Sequence, residues 1–127
     1  MNISIITFTE NGTKLAEKIR QAFASAKTEE AKNLGLSLSD WTRQKNAIVV
    51  IGACGIAVRM IAPFVSDKLS DSPVVVADEA GTFVIPLLSG HMGGANELAE
   101  QIAGQIGGIP VITTATDVNH AFSVDLF

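Results

Sequence analysis

Apolar residues in this chain follow two patterns, short runs that are mainly apolar and positions repeated at helical spacing. The mainly apolar runs lie at 2–8, 47–51, 74–77, 83–88 and 109–113, and they predict strands. The run 47–51 is apolar throughout, which is typical of a central parallel strand, and 83–88 is of the buried-strand type. Between them, apolar positions spaced three and four residues apart predict amphipathic helices. The predicted order is β-α-(short element)-β-α-β-β-α-β.

Three segments place their apolar residues on one face of a predicted helix. These positions are Leu15, Ile19, Ala22 and Phe23, then Ile56, Ala57, Met60, Ile61 and Phe64, then Ala95, Leu98, Ala99, Ile102, Ala103 and Ile106. Pro63 is expected to kink or end the second helix. The polar stretch 25–33 fits an edge strand, a loop or a frayed helix end. Ser39 or Asp40 is expected to cap a short helix that ends at Lys45.

Residues 78–82 predict the turn of a β-hairpin, because they join two strand-type runs and include a glycine. The sheet is therefore expected to be mostly parallel and partly mixed. We predict a single α/β domain over 1–127, a three-layer sandwich in which helices flank the central sheet. Ligands of such sheets gather beyond the carboxyl ends of the strands. At that edge we expect Thr9-Glu10, 52–59, 89–96 and 114–117.

Composition narrows the classes of function. The 127 residues are 47% hydrophobic and 17% charged, which indicates a well-filled core. The net charge of −4 and the absence of a basic stripe argue against nucleic acid as a partner. No apolar run approaches the roughly 20 residues that span a bilayer, and no signal-type segment is present, so a cytoplasmic protein without a membrane partner is expected. Cys54 is the single cysteine, which excludes an intrachain disulfide.

Residues 87–97 connect the clearest strand signal to the clearest helix signal, a helix expected from about Gly93 to Ile106. The connection contains His91 and three glycines. A helix N-terminus of this kind offers free backbone N–H groups and little side-chain bulk, so we expect a ligand site there. The lysine of a P-loop, the spacing of a dinucleotide fingerprint and the G-x-S-x-G nucleophile motif are all absent.

Several side chains have both a chemical and a structural interpretation. His91 could act as a general base or be hydrogen-bonded for structure, and a helix N-terminus would lower its pKa and favour the neutral base. Asp78 and Glu79 form a carboxylate pair, or they are solvated turn residues. Arg59, in an apolar helix, needs an ion-pair partner or a ligand carboxylate. Cys54 fits a small packing residue better than a nucleophile.

Four blocks of sequence carry a resemblance to a known family. They are Gly55-Ile-Ala-Val-Arg-Met-Ile-Ala-Pro63, Val74-Val-Val-Ala-Asp-Glu-Ala-Gly81, Leu87-Leu-Ser-Gly-His-Met-Gly-Gly-Ala-Asn-Glu-Leu-Ala99 and Val111-Ile-Thr-Thr-Ala-Thr-Asp117. Together they closely resemble the N-terminal region of the cobalt-precorrin-5A hydrolase family, CbiG, of anaerobic cobalamin biosynthesis. The resemblance spans residues 47–125 firmly and the first strand and helix loosely.

The resemblance implies a cytoplasmic enzyme that opens the δ-lactone of a cobalt-corrinoid intermediate and releases acetaldehyde, giving cobalt-precorrin-5B. The cobalt then belongs to the substrate, and the protein has no cofactor of its own. Family members usually carry a further C-terminal domain. A C-terminal domain, a separate partner chain or a homodimer is therefore expected to complete the pocket. The alternative is a related domain that binds a corrinoid or a partner without catalysis.

For such a reaction, chemistry suggests roles for particular residues. His91, with Asp78 or Glu79, would activate water, and the N–H groups of Gly93 and Gly94 would receive the developing negative charge. Arg59 would bind a peripheral carboxylate of the corrinoid. The further candidates for substrate binding are Gly55, Ser89, Gly90, Asn96, Thr114 and Asp117.

Overall fold

The computed structural model describes residues 2–30, 46–66, 71–89 and 94–114. The strands are β1 (Ile3–Thr7), β2 (Ala26–Glu30), β3 (Ala47–Ile51), β4 (Val74–Ala77), β5 (Phe83–Leu88) and β6 (Ile109–Pro110). The helices within these ranges are α1 (Glu10–Arg20), α2 (Cys54–Ile61) and α3 (Ala95–Ile106), and a 3-10 turn, Ala62–Phe64, follows α2. None of the described helices is long and apolar enough to cross a membrane.

The six strands form one sheet in the order β2-β1-β3-β4-β5-β6. Neighbouring strands are parallel except β4 and β5, which form the predicted antiparallel hairpin. Strand β2 shows that the ambiguous stretch after residue 25 begins as an edge strand. The short helix predicted to end at Lys45 lies outside the described residues. The prediction of a mostly parallel, partly mixed sheet is confirmed.

Prolines lie in two of the strands. Strand β6 covers two residues where five were expected, and it includes Pro110. The N–H groups of Ile109 and Val111 donate to the Thr82 and Val84 carbonyls, so Pro110 faces away from β5 at the edge of the sheet, where its missing N–H is tolerated. Pro86 lies inside β5, where the β4–β5 register shifts between Val74 and Val75. A bulge of this kind accommodates a proline within a strand. At the end of α2, Pro63 falls in the 3-10 turn, so this proline coincides with the end of the α-helix, as predicted.

The layers follow from the alternation of side chains along the strands. Val49 and Ile51 face the core beneath α1 and α3, whereas Ile48 and Val50 face the core beneath α2. All five residues of β3 are buried, since both faces of this central strand are covered. The expected three-layer sandwich is thus confirmed, with α1 and α3 on one face of the sheet and α2 on the other.

Because β5 runs antiparallel to β4, strands finish at both ends of the sheet, which are called the front edge and the rear edge. The front edge is formed by the carboxyl ends of β1, β3 and β4, and it carries Thr9, residues 52–59 and the turn 78–82. The rear edge is formed by the carboxyl ends of β5 and β6, and it carries Ser89 and the segment 111–114. The expectation that all these loops share one edge is wrong, because strands after the hairpin run in the opposite direction.

Candidate functional site

Ser89 at the rear edge has an unusual backbone conformation. Its φ is 58°, a left-handed value that non-glycine residues adopt at a cost of roughly 1–2 kcal/mol. Two hydrogen bonds hold it there: its Oγ donates to the Asp71 carbonyl at 2.7 Å, and its own carbonyl accepts from the Ala95 N–H at 3.1 Å. Strain maintained in this way is frequent at functional sites. Ser89 therefore stays a candidate, on structural evidence that sequence could not supply.

Helix α3 begins beside Ser89. Gly94, its N-cap residue, has a φ of 91°, and no side chain caps the helix among the described residues. Gly94 thus brings the chain into α3 through a conformation that favours glycine. The helix begins at Ala95, two residues later than predicted. Gly90, His91 and Gly93 lie outside the described residues, so their roles remain predictions.

Asn96 and Thr114, both predicted to bind substrate, contact each other. Asn96 Nδ2 lies 3.1 Å from Thr114 Oγ1, and Asn96 Oδ1 lies 3.3 Å from the same hydroxyl. Asn96 is 7% exposed, so this pair joins the first turn of α3 to the segment after β6 beneath the surface. The pair therefore has a structural role at the rear edge, where it connects α3 to the chain after β6. Asp117 lies outside the described residues.

Asp78 closes the hairpin at the front edge. Its Oδ1 accepts from the Phe83 N–H at 2.6 Å, and its carbonyl accepts from the Gly81 N–H at 2.9 Å. Gly81 has a φ of 72° and packs against Leu15 of α1. Of the two interpretations of Asp78, a chemical group or a turn residue, the structure shows the role in the turn. Its catalytic role stays a prediction.

Glu79 is joined to the start of α1. Its Oε1 accepts a hydrogen bond from the hydroxyl of Thr9, the N-cap residue of that helix. The same hydroxyl accepts from the Gly12 N–H at 3.0 Å. Thr9 thereby caps α1 and ties the hairpin turn to it.

Arg59 turns back toward the N-terminus of α2. A Cβ atom on Gly55 would lie 3.6 Å from Arg59 Nη1, so the guanidinium lies beside the first turn of the helix. This turn has no side-chain cap. No carboxylate forms an ion pair with Arg59 within the described part of the chain. The positive helix end and the guanidinium together favour a ligand carboxylate.

A cleft of about 400 Å³ lies between α1 and the hairpin turn. Its lining residues are Asn11, Lys14, Leu15, Lys18, Glu79 and Ala80. Sequence reasoning identified Glu79 alone of the polar groups here. The spacing of the α1 residues, 11, 14, 15 and 18, places them on one helix face and was the available signal.

The two edges separate groups that were expected to act together. Asp78 and Ser89 lie at opposite ends of β5, whose six residues extend roughly 20 Å at about 3.3 Å each. The carboxylates of the hairpin turn and the hydroxyl of Ser89 therefore cannot meet at one bond of a substrate. Across the described ranges, no group of three or more His, Cys, Asp and Glu side chains is placed to hold a metal ion.

These features define an α/β domain with ligand-binding potential at both edges of a mixed sheet. Comparison with known proteins narrows this class. The family described as Cobalamin synthesis G N-terminal matches residues 37–117. The chain belongs to this CbiG N-terminal family, as the four sequence blocks indicated.

Named relatives agree with the family. A cobalt-precorrin-5A hydrolase from Salmonella typhimurium is 44% identical over 98% of this chain and 38% of its own length. Another from Priestia megaterium is 34% identical, with the same coverage. A solved cobalamin biosynthesis protein G homolog from Sulfolobus solfataricus superposes with a TM-score of 0.73 and 28% identity, over 88% of this chain and 36% of that one. The chain thus spans well under half the length of these relatives.

Proposed function

We propose that this chain performs the N-terminal part of the cobalt-precorrin-5A hydrolase reaction of cobalamin biosynthesis. The observation that carries the proposal is the 44% identity to the Salmonella typhimurium hydrolase over 98% of the chain. The substrate is a corrinoid that brings its own cobalt. Water opens its δ-lactone, and cleavage of a carbon–carbon bond then releases acetaldehyde.

The reaction makes two demands on the protein. Attack of water on the lactone carbonyl needs a base, and the tetrahedral oxyanion needs hydrogen-bond donors. Breaking the lactone C–O bond yields a carboxylate and an alcohol. When the alcohol loses its proton and becomes the aldehyde, the carbon–carbon bond breaks and its electron pair stays on the macrocycle.

The rear edge is the proposed place for lactone opening. His91 acts as the base, and the N–H groups of Gly93 and Gly94 stabilise the oxyanion. Residues 90–93 are called the glycine segment. The strained Ser89, its hydrogen bond to Ala95 and the left-handed Gly94 support this assignment, since they fix the residues on either side of that segment. We do not assign Asp78 and Glu79 to this step, because the hairpin turn lies at the other end of β5 from Ser89.

Arg59 lies at the front edge, and it is proposed to bind a peripheral carboxylate on a part of the corrinoid remote from the lactone. Its planar guanidinium suits bidentate contact with a carboxylate, and the uncapped turn of α2 beside Gly55 adds partial positive charge. A corrinoid is broad, and the relatives extend well beyond the region matched here. A C-terminal domain, a separate chain or a second copy is therefore proposed to complete the pocket.

The test is acetaldehyde release from purified cobalt-precorrin-5A. The chain is assayed alone and after addition of the C-terminal region of the Salmonella typhimurium relative. We expect His91→Gln to lower the rate by about 10²-fold or more, the usual contribution of a general base. His120 is the second of the two histidines and lies outside the four sequence blocks, so His120→Gln is the matched control and should leave the rate unchanged.

Two results would contradict the proposal. Normal acetaldehyde release by His91→Gln would remove the role of this histidine. Corrinoid binding with no acetaldehyde release in either arrangement would instead favour a non-catalytic corrinoid-binding domain.

A further inference from the structure

We propose that the cleft between α1 and the hairpin turn is a second binding site, one that takes the carboxylate groups of a polycarboxylic ligand. The cleft lies at the front edge, away from the glycine segment at the rear edge. This inference goes beyond the proposed reaction and does not depend on it.

The charges that line the cleft carry the argument. Lys14 and Lys18 are one helical turn apart on the same face of α1, and both line the cleft. Within the described residues, neither ammonium group forms an ion pair, although Glu17 on the same helix pairs with Arg20. Like charges at this spacing repel each other. A carboxylate bound between the two lysines would remove that repulsion.

The remaining lining groups fit the same ligand. Leu15 contributes an apolar surface for an alkyl chain, and the Asn11 amide can donate a hydrogen bond to an oxygen. Glu79 is the carboxylate on the facing wall, and it already accepts the hydroxyl of Thr9. Two cations against one engaged carboxylate leave a positive cleft on a chain whose net charge is −4.

The walls of the cleft are held in place before any ligand arrives. The Thr9–Glu79 hydrogen bond joins the turn to the start of α1. Gly81 packs on Leu15, and Gln105 Nε2 of α3 donates to the Lys18 carbonyl at 3.1 Å. The lysine side chains therefore extend from a fixed backbone, which lowers the entropic cost of binding.

Two-dimensional ¹H–¹⁵N NMR titration of the full chain tests the proposal, with three probes. Citrate is a simple polycarboxylate, cobyrinic acid is a corrin whose side chains end in carboxylates, and cobinamide is a corrin whose side chains are amides. We expect citrate or cobyrinic acid to shift the amides of residues 11–18 and 79–80. If cobyrinic acid shifts these amides and citrate does not, the ligand is a corrinoid carboxylate. If both probes shift them, the cleft is a general carboxylate site.

Charge variants identify the groups responsible. Lys14→Gln with Lys18→Gln should raise the Kd for the carboxylate probe about tenfold, and high salt should weaken wild-type binding. Lys27→Gln is the matched control, because it removes the same charge from an exposed side chain on the edge strand β2, and the Kd of this variant should stay within about twofold of the wild-type value. Cobinamide should produce no shifts that depend on Lys14 or Lys18.

Two outcomes would overturn the inference. One is the absence of shifts at residues 11–18 and 79–80 with both carboxylate probes. The other is an unchanged Kd in the double lysine variant. Because acetaldehyde release is measured separately, either outcome leaves the proposed reaction standing. If acetaldehyde release fails while the cleft still binds the carboxylate probes, the proposed reaction is wrong and the binding site in the cleft stands.

Discussion

Thr9 and Glu79, 70 residues apart in sequence, are joined by a hydrogen bond from the threonine hydroxyl to the glutamate carboxylate. The same hydroxyl caps α1 by accepting from the Gly12 N–H. One side chain therefore starts a helix and fixes the hairpin turn that faces it. This relationship shapes the cleft at the front edge and makes Thr9 a sensitive position for stability.

Replacing Thr9 tests this double role. Thr9→Val keeps the shape but removes both hydrogen bonds, so we expect the free energy of unfolding to fall by about 1–2 kcal/mol. Thr9→Ser retains the hydroxyl, so its free energy of unfolding should fall less than that of Thr9→Val. Urea denaturation measures both variants. Equal losses in the two would show that the hydroxyl is not the stabilising group.

Two glycines should respond to alanine in opposite ways. Gly81 has a φ of 72°, and an added Cβ would lie 3.1 Å from Leu15 Cδ1, so Gly81→Ala should destabilise by about 1–2 kcal/mol. Gly104 lies within α3, where an added Cβ meets nothing within 4 Å. Gly104→Ala should therefore stabilise by about 0.5–1 kcal/mol through helix propensity. Thermal unfolding measures the Tm of both variants. A Tm shift of the same sign in the two variants would contradict the prediction.

The strain at Ser89 can be separated from its hydrogen bond. Ser89→Ala keeps the left-handed backbone and loses the bond to the Asp71 carbonyl, which should cost about 1 kcal/mol. Ser89→Gly loses the same bond but relieves a strain of roughly 1–2 kcal/mol. We thus expect the glycine variant to be the more stable in denaturant titration. A less stable glycine variant would argue against strain at this residue.

Arg59 provides a test of substrate binding that is independent of folding. Its side chain is exposed and has no carboxylate partner among the described residues, so Arg59→Gln should change stability by less than about 0.5 kcal/mol. In acetaldehyde release, we expect KM to rise about tenfold, the loss of one charge-assisted contact of about 1.4 kcal/mol. The KM of Arg59→Lys should lie between those of the wild type and Arg59→Gln, because lysine keeps the positive charge and loses the planar, forked guanidinium. An unchanged KM would exclude the proposed contact.

The strands and helices were largely predictable because their signals are local. The run 47–51 is apolar throughout, as expected for β3, which is buried on both faces. The turn 78–82 has its glycine where a positive φ is needed, so the hairpin could be predicted. The shortness of β6 was harder to predict, because it depends on how far the chain runs alongside β5 at the edge of the sheet and not on the apolar residues of β6 itself.

The candidate site was predictable only in part. Asn96 and Thr114 were identified as polar residues, but their contact depends on where α3 starts relative to the end of β6. Lys14 and Lys18 resemble ordinary surface lysines in the sequence. They acquire their proposed role because the hairpin turn closes against α1, a contact between segments more than 60 residues apart.

The sequence by itself determined the order of the elements, the hairpin and the membership of the CbiG N-terminal family, because each depends on residues close together along the chain. Tertiary structure alone decided which loops share an edge. The reversal at 78–82 sends β5 and β6 in the opposite direction, which separates Ser89 from Asp78 and Glu79. The same reversal places the turn against α1 and creates the cleft, since both depend on how strands pair across the sheet.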